Sequence, residues 1–356
     1  MRSFAALMAG LLVLASAAPL RADSYITSTG LYYKERSTRV VAPAVNAHVE
    51  LPSGWSVDGG VLVDQVTSAS AAFTPDDKAF TEYRIQGTLG VDYTLRSGVV
   101  GVLALDSLRV GANARVSNES DYRSILGGGR LNALFNDKLS SAGASFQYQA
   151  DALRQPGPSG IRRNLKAVFV SLTGSQVITP RFLVGGVFNA QILRGYLENV
   201  YRLEQHPTER NDYSLGYFLR YRYGPWGLGG IFEQCAHYST WGHKALTTNL
   251  EIWQTITPWL EVVPRIRVHV QGSVDFVNRL DVPDPNDPTG DPITLFTTDP
   301  TLFEAQTVTG GVRFIFAPPF LDGLQINPAY YVMYQSTRYG IAHIAQVVLY
   351  YPFSIE

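Results

Sequence analysis

The sequence has a single cysteine, few charges and, after its N-terminal segment, no long apolar run. Cys235 is the one cysteine, so an internal disulfide is excluded and the fold must be stable without cross-links. No stretch of about 18 apolar residues follows the N-terminal segment, which excludes a membrane-spanning helix. Charged residues make up 17% of the chain and the formal net charge is −1, so nothing points to a nucleic-acid partner.

Residues 1–22 have the pattern of a cleaved secretory signal peptide. Arg2 precedes an apolar stretch from Phe4 to Ala18, and Leu20-Arg21-Ala22 offers a small-residue cleavage site. No linker, low-complexity tract or helical repeat divides the remainder. Residues 23–356 are therefore predicted to form one unit of an exported protein.

Glycine and aromatic residues are abundant, with 32 Gly, 20 Tyr and 17 Phe. Apolar residues recur at every second position in segments of roughly ten residues, the length of a strand that crosses a bilayer at a tilt. The pattern predicts an all-β fold, a transmembrane antiparallel up-and-down β-barrel of about sixteen strands, within a range of about 12 to 18. Clear segments are Tyr83–Leu95, Leu108–Val116, Ala142–Ala150 and Leu260–Gln271, whereas Gly98–Ser117 is read either as one long strand or as a strand after a turn.

The connections between these segments alternate in length. Short turns facing the periplasm at one rim and longer loops outside the cell at the other are typical of outer-membrane barrels. The predicted short turns are at residues 51–54, 96–98, 136–138, 179–181, 223–226 and 257–259, and the main long connections are at 67–79, 154–163, 194–211 and 273–302.

Residues 213–223, YSLGYFLRYRY, show which face lies inside. Tyr and Leu occupy the odd positions, whereas Arg220 and Arg222 occupy even ones. A dry core cannot accept unpaired charges, and a soluble sandwich would need one shared core for about sixteen apolar faces. We therefore expect the apolar faces to contact lipid, with Trp55, Tyr93, Phe135, Phe182, Tyr223, Trp226 and Phe316 as an interfacial girdle. The polar face is expected to line a lumen with Arg84, Asp92, Arg109, Arg115, Arg130, Arg220, Arg222, Glu233, His237, Glu251, Glu261, Arg265, Arg267 and His269.

Two interpretations of the lumen residues remain open. The arginines can form a basic lining that favours anions. Alternatively they form a structural ion-pair mesh that fills the barrel, and nearly balanced charges in a confined space favour this mesh. The carboxylates available to it are Asp58, Asp64, Asp92, Glu233, Glu251 and Glu261.

Polar residues in the long connections are candidates for the outer mouth. They can bind a ligand or partner, or they can brace the loops through carboxylate–arginine pairs, which is the favoured interpretation. These residues are Glu119, Asp121, Tyr122, Arg123, Glu198, Tyr201 and Arg202. The stretch 281–292 holds Asp281, Asp284, Asp287 and Asp291, but its spacing does not match an EF-hand loop, so an acidic surface loop is expected.

The sequence gives little reason to expect an enzyme. It contains neither HExxH nor GxSxG. His237 and His269 can both face the lumen near its outer end, which leaves a surface hydrolase as a minor alternative. No cofactor and no metal are expected, since Cys235 has no metal-ligand companion.

Several long segments resemble a family of Gram-negative outer-membrane barrels that is classed as a domain of unknown function. They are SNESDYRS (117–124), GSQVITPRFL (174–183), RGYLENVYRLE (194–204), residues 237–277 and YYKERSTRVVAPAVNAHVEL (32–51). This chain departs from the family at Val200, where proline is usual, and near Gln271. The resemblance implies a barrel and a periplasmic or surface redox context, with no established activity.

Together these patterns predict a channel or transport barrel in the outer membrane for a small solute, with no catalytic activity. The alternative is a barrel that acts as a sheath or anchor for a small lipoprotein or redox partner. Further expected partners are outer-membrane lipids and, during biogenesis, the barrel-assembly machinery.

Overall fold

The computed structural model describes residues 24–68, 80–100, 103–154, 160–199, 204–283, 292–321, 323–337 and 339–354, so the predicted signal peptide lies outside the described residues. The alternating segments form β-strands, joined in places by the short 3₁₀ helices Gly224–Trp226, Pro300–Leu302 and Pro319–Leu321. None of the described residues belongs to a helix long and apolar enough to cross a membrane. The strands are β1 Ser24–Lys34, β2 Thr38–Glu50, β3 Trp55–Ser68, β4 Phe80–Val100, β5 Leu103–Asn118, β6 Tyr122–Phe135, β7 Ser140–Arg154, β8 Arg162–Thr179, β9 Phe182–Gly195, β10 Glu209–Tyr223, β11 Leu228–Ser239, β12 Lys244–Thr257, β13 Leu260–Gln271, β14 Leu280–Pro283, β15 Pro292–Leu295, β16 Ala305–Phe316, β17 Gln325–Gln335 and β18 Ile341–Phe353.

Sixteen of these strands close into one antiparallel barrel. Each strand pairs with its neighbours in sequence, except that β13 pairs with β16 because β14 and β15 form a separate hairpin. Closure is made by β1 and β18, whose pairing runs from Ser24 opposite Phe353 to Lys34 opposite His343. The all-β, up-and-down barrel of about sixteen strands is confirmed.

The short turns lie at one rim of the barrel, and most of them match the prediction. β2 and β3 are joined by residues 51–54, β8 and β9 by 180–181, and β12 and β13 by 258–259. The turn between β6 and β7 places Asn136, Asp137 and Lys138 in the left-handed region, at φ of 58°, 54° and 63°. Asn and Asp tolerate this conformation better than most residues, which explains why a tight turn forms here.

The turn predicted at residues 96–98 is wrong. β4 continues through it, with Arg96 opposite Ser107, Gly98 opposite Leu105 and Val100 opposite Leu103. A glycine inside a strand does not by itself require a turn, and the alternation continues on both sides. β3 pairs with β4 only as far as Trp55 opposite Tyr93, so the end of this hairpin projects beyond its neighbour.

The two faces of the barrel wall have inverted polarity compared with a soluble protein. Apolar outward residues are strongly exposed, such as Leu215 at 66%, whereas Asp92 on the other face is 2% exposed. In β10 the alternation places Tyr213 and Leu215 on one face and Ser214 and Arg220 on the other.

Candidate functional site: the polar inner wall and its mouth

Contacts between strands that are not neighbours identify the inner face of the barrel. Arg109 of β5 donates to Glu50 of β2, with 2.6 Å between Nη2 and Oε1. Arg313 of β16 lies 3.5 Å from Glu251 of β12. Side chains of separated strands converge on the concave side of a closed sheet and diverge on its convex side, so these groups point inward. The alternation then assigns the remaining polar positions to the same face.

The centre of one wall is Arg130 of β6, which holds two carboxylates. Its Nε donates to Asp92 Oδ1 at 2.6 Å and its Nη2 to Asp58 Oδ2 at 2.7 Å, and Nη2 also contacts Asp92 Oδ2. Two glycines leave space for the Arg130 side chain to extend to both carboxylates. A side chain at Gly111 would overlap the Asp92 carboxylate, and a Cβ at Gly90 would lie 3.3 Å from Asp58 and 3.4 Å from Arg130.

The same wall continues through His48, whose ring links two carboxylates. Its Nδ1 lies 2.6 Å from Asp58 Oδ1 and its Nε2 lies 3.4 Å from Glu50 Oε1. Tyr25 stacks on the imidazole with 5.2 Å between ring centroids. We call this set the β2–β6 network; its members are His48, Glu50, Asp58, Asp92, Arg109 and Arg130.

The charged side chains of the β2–β6 network form ion pairs and are still accessible to solvent. The side chains of Arg130, Asp58 and Arg109 are 40%, 37% and 38% exposed. Ion pairs that filled the barrel would be buried, so these side chains line a wall beside solvent-accessible space. The pairing of the predicted mesh is present here, and the paired side chains remain accessible to solvent.

A second network lies on β11, β12, β13 and β16. Glu251 is flanked by Arg265 at 3.4 Å and Arg313 at 3.5 Å. Arg265 also donates to the Asn249 side chain at 2.7 Å, and Asn249 donates to Glu233 at 3.0 Å. Here the side chains are more enclosed, with Glu251 16% exposed.

The other predicted lumen residues have different surroundings. Arg84 pairs with Asp64, and Arg115 donates to Gln149 at 2.7 Å. Arg220 lies over the Phe218 ring, 5.3 Å from its centroid. Three further predicted residues occupy inward positions: Arg222 is exposed, Glu261 accepts from Thr255 at 3.3 Å, and Arg267 follows Arg265 on β13.

At the long-loop rim the structure separates the predicted residues. Glu119 and Asp121 lie with Glu82, their carboxylate oxygens within 4.8 Å of one another. Tyr122 opens β6 at an inward position. Arg123 occupies the next, outward position and forms no ion pair with a carboxylate of the described residues, so the predicted bracing does not apply to it.

The remaining loop predictions are only partly covered. Glu198 accepts from the backbone N–H of His206 at 3.4 Å, and Asp281 accepts from Thr294 at 2.7 Å. Tyr201, Arg202, Asp284, Asp287 and Asp291 lie outside the described residues.

A buried cluster joins the long connections above β9 to β16, and we call it the mouth cap. Its apolar part contains Trp241, Val274, Phe276, Leu295 and Leu302. The cap rests on the barrel through two sets of contacts. Trp241 Nε1 donates to the Glu209 carbonyl at 2.8 Å, and Gln271 donates to the carbonyls of Thr301 and Phe303 at 2.9 and 2.7 Å.

Glu204 is the polar centre of the mouth cap, and its side chain is fully buried. Its Oε1 accepts from the Thr298 N–H at 3.0 Å and from the Thr297 hydroxyl at 3.1 Å. Its Oε2 accepts from the Asn199 N–H at 3.3 Å and lies 3.5 Å from His206 Nε2. A buried carboxylate is tolerated only with such a donor set. The alternating sequence pattern could not predict the burial of Glu204, because this residue lies in a connection outside the strands.

Three histidines gather beneath the mouth cap. His237 Nε2 lies 3.9 Å from Asp212, the His237 and His243 rings meet at 5.4 Å, and His269 bonds Thr247 and Gln271 at 2.8 and 3.1 Å. His237 and His269, the two residues of the hydrolase alternative, therefore both lie in this part of the barrel, with Asp212 and Thr247 as neighbours. In the turn between β11 and β12, burial above all, with nearby His237 and Arg210, lowers the pKa of His243 to about 4.

Replacing Arg130 with methionine should destabilise the barrel by about 3 kcal/mol, because the buried Asp92 carboxylate loses its countercharge. The free energy of unfolding in detergent measures the effect. Arg222→Met is the matched control, since Arg222 is exposed and should contribute less than about 0.5 kcal/mol. The double variant Asp92→Asn/Arg130→Met should recover part of the loss. Equal effects of Arg130→Met and Arg222→Met would contradict the role assigned to the pair.

The mouth cap should loosen as the pH falls from about 6.5 to about 4. In that window the unfolded or opened chain protonates His243 whereas the folded chain does not, so stability is present above the ordinary histidine pKa and is lost below it. Hydrogen exchange of residues 240–243 at pH 7 and pH 5 measures the opening. His243→Gln should reduce the difference between the two pH values, and an unchanged difference would refute this assignment.

Comparisons with known proteins agree on the fold. No protein-family model matches the sequence, and no curated protein matches it. The structure is similar to a bacterial polysaccharide outer membrane secretin, at 8% identity and a TM-score of 0.51, covering 94% of this chain and 99% of that one. CdiB from Acinetobacter baumannii matches at 7% identity and a TM-score of 0.53, covering 92% of this chain and 60% of that one. Acinetobacter baumannii OccAB2 matches at 10% identity and a TM-score of 0.43, covering 94% and 98%. At such identities the likeness to the secretin and to CdiB shows a shared barrel fold alone. Membership of the family that the sequence segments resemble stays a prediction.

Proposed function

We propose that this protein is an outer-membrane channel for a small solute. The observation that carries the proposal is the solvent accessibility of the inner wall. Arg109 and Arg130 are paired with carboxylates, yet more than a third of each side chain is exposed inside a closed sixteen-stranded barrel. Barrels of about 16 strands are wide enough to leave an aqueous passage. The solvent accessibility of these ion pairs supports a passage along the wall.

The membrane location is supported by the outer face. The charged outward positions of the described barrel strands lie near the strand ends, and apolar or aromatic residues predominate between them. Such a band matches the hydrocarbon layer, where an ionised side chain is costly. The cleaved export signal predicted at residues 1–22 agrees with this location.

The mouth cap and the arginines of β10 set the proposed selectivity. The cap packs the connections after β9, β11 and β13 together, which narrows the mouth and favours small solutes. Arg220 and Arg222 lie on the inner face close to the short-turn rim. Two positive charges near one end of the inner wall favour anions over cations.

The sheath or anchor is the second candidate, and the β4–β5 hairpin favours it. Beyond Tyr93 the strand β4 pairs with β5 alone, so its other edge lacks a strand partner among the described residues. An open strand edge at the short-turn rim can accept an extended segment of a periplasmic or lipid-anchored partner. Neither candidate requires catalysis by the barrel.

Leu172→Arg should lower the free energy of unfolding in lipid bilayers by about 2–4 kcal/mol, because Leu172 is 50% exposed near the middle of β8 on the outer face. The neighbouring Thr173→Arg is the control. It points inward and should cost less than about 1 kcal/mol, as expected for a lumen position. A larger loss from Thr173→Arg than from Leu172→Arg would reverse the assigned orientation.

Purified protein in planar bilayers should conduct ions without any partner, with a preference for anions. Arg220→Glu/Arg222→Glu should shift the reversal potential towards cations, because it inverts two charges on the inner wall. Lys138→Glu/Arg181→Glu inverts two charges in short turns of the same rim and should shift it much less. Absence of conductance in correctly folded protein would reject the channel, and conductance that arises only after a co-purifying partner is removed would favour the sheath.

A further inference from the structure

The outer surface of the barrel carries a group of cations at the rim with the long loops. Four of them lie close together on β6, β7 and β8, and all four are exposed. We call this group the basic outer patch; its members are Arg123, Arg154, Arg162 and Lys166.

The register places like charges side by side in the basic outer patch. Arg154 is directly opposite Arg162 in the ladder between β7 and β8. Directly opposed like charges destabilise a sheet, so this arrangement needs a compensating group. None of the four residues forms an ion pair with a described carboxylate, whereas the neighbouring Arg194 of β9 has its own partner in Glu209 at 3.3 Å.

A groove of about 390 Å³ lies between two of these cations. Arg123 of β6 is opposite Ala152, and Lys166 of β8 is opposite Ala150, so the two small residues of β7 form a low floor between two long basic side chains. Asn164 completes the polar edge. Asp151 also borders the groove, but its carboxylate accepts from Gln149 at 2.8 and 3.0 Å on the inner face.

Towards the middle of the barrel the same surface becomes apolar. Ile125 lines the groove and is 49% exposed, and Phe146 and Tyr148 of β7 are 54% and 43% exposed. The cations therefore lie at the end of the strands, directly above a surface suited to acyl chains. A soluble anion would use only the charged part of this surface.

We propose that the basic outer patch and its groove bind a phosphorylated glycolipid of the surrounding leaflet. The phosphate groups contact Arg123 and Lys166, with Arg154 and Arg162 adding charge at the rim, and an acyl chain lies along Ile125. Arginine and lysine at headgroup level attract anionic lipids, and arginine binds phosphate oxygens with two parallel hydrogen bonds. The inference rests on the proposed membrane location, with the long loops on the outer side.

The test uses the full chain purified in detergent and native mass spectrometry. The probe is a purified glycolipid with two phosphate groups, compared with the same lipid after enzymatic removal of both phosphates. Wild-type protein should bind the phosphorylated lipid and discriminate against the other. Arg123→Gln/Lys166→Gln should bind it about thirtyfold more weakly, as expected for two cations removed at a membrane surface.

The matched control is Arg39→Gln/Lys244→Gln, which removes two exposed outward cations from the same rim on β2 and β12. It should retain wild-type affinity, and both double variants should keep the wild-type melting temperature and conductance. Three outcomes would overturn the proposal. Wild-type protein could bind both lipids with equal affinity, the patch variant could bind the phosphorylated lipid as tightly as wild type, or inorganic phosphate could compete completely with the lipid. Lipid binding without conductance would reject the channel alone, whereas protein that stays monomeric without detergent would reject the membrane location and this inference together.

Discussion

A strand at an open sheet edge leaves a row of backbone amides unpaired, and pairing between β1 and β18 removes that edge by closing the sheet. Once the sheet is closed, the period of two divides each strand between an outer and an inner face. That division explains how one short repeat produces both the apolar surface and the polar wall. Leu215 and Arg220 belong to one strand and yet lie on opposite faces of the sheet.

Long cationic side chains on the inner wall depend on small residues beside them. Arg130 reaches across two strands because Gly111 and Gly90 offer no side chain in its path. The guanidinium thus neutralises two carboxylates while 40% of the Arg130 side chain remains exposed. Small residues have the same effect outside the barrel, where Ala150 and Ala152 leave room for the groove between Arg123 and Lys166.

The sequence was sufficient for the architecture because the alternation is repeated in every strand and needs no knowledge of distant contacts. It could not show which side chains meet. Arg109 and Glu50 lie on β5 and β2, and their encounter depends on the stagger and curvature of the closed sheet. The glycine at residue 98 was misread as a turn because a single residue cannot distinguish a bend from a continuing strand. Glu204 and Trp241 were missed because loop residues follow no period.

The mouth cap joins parts of the chain that are distant in sequence. Glu204 follows β9, whereas its donors Thr297 and Thr298 precede β16, 93 and 94 residues later. These hydrogen bonds tie the connection after β9 to the connection before β16. Movement of either connection would leave a buried carboxylate without its donors, so the two segments hold each other in place.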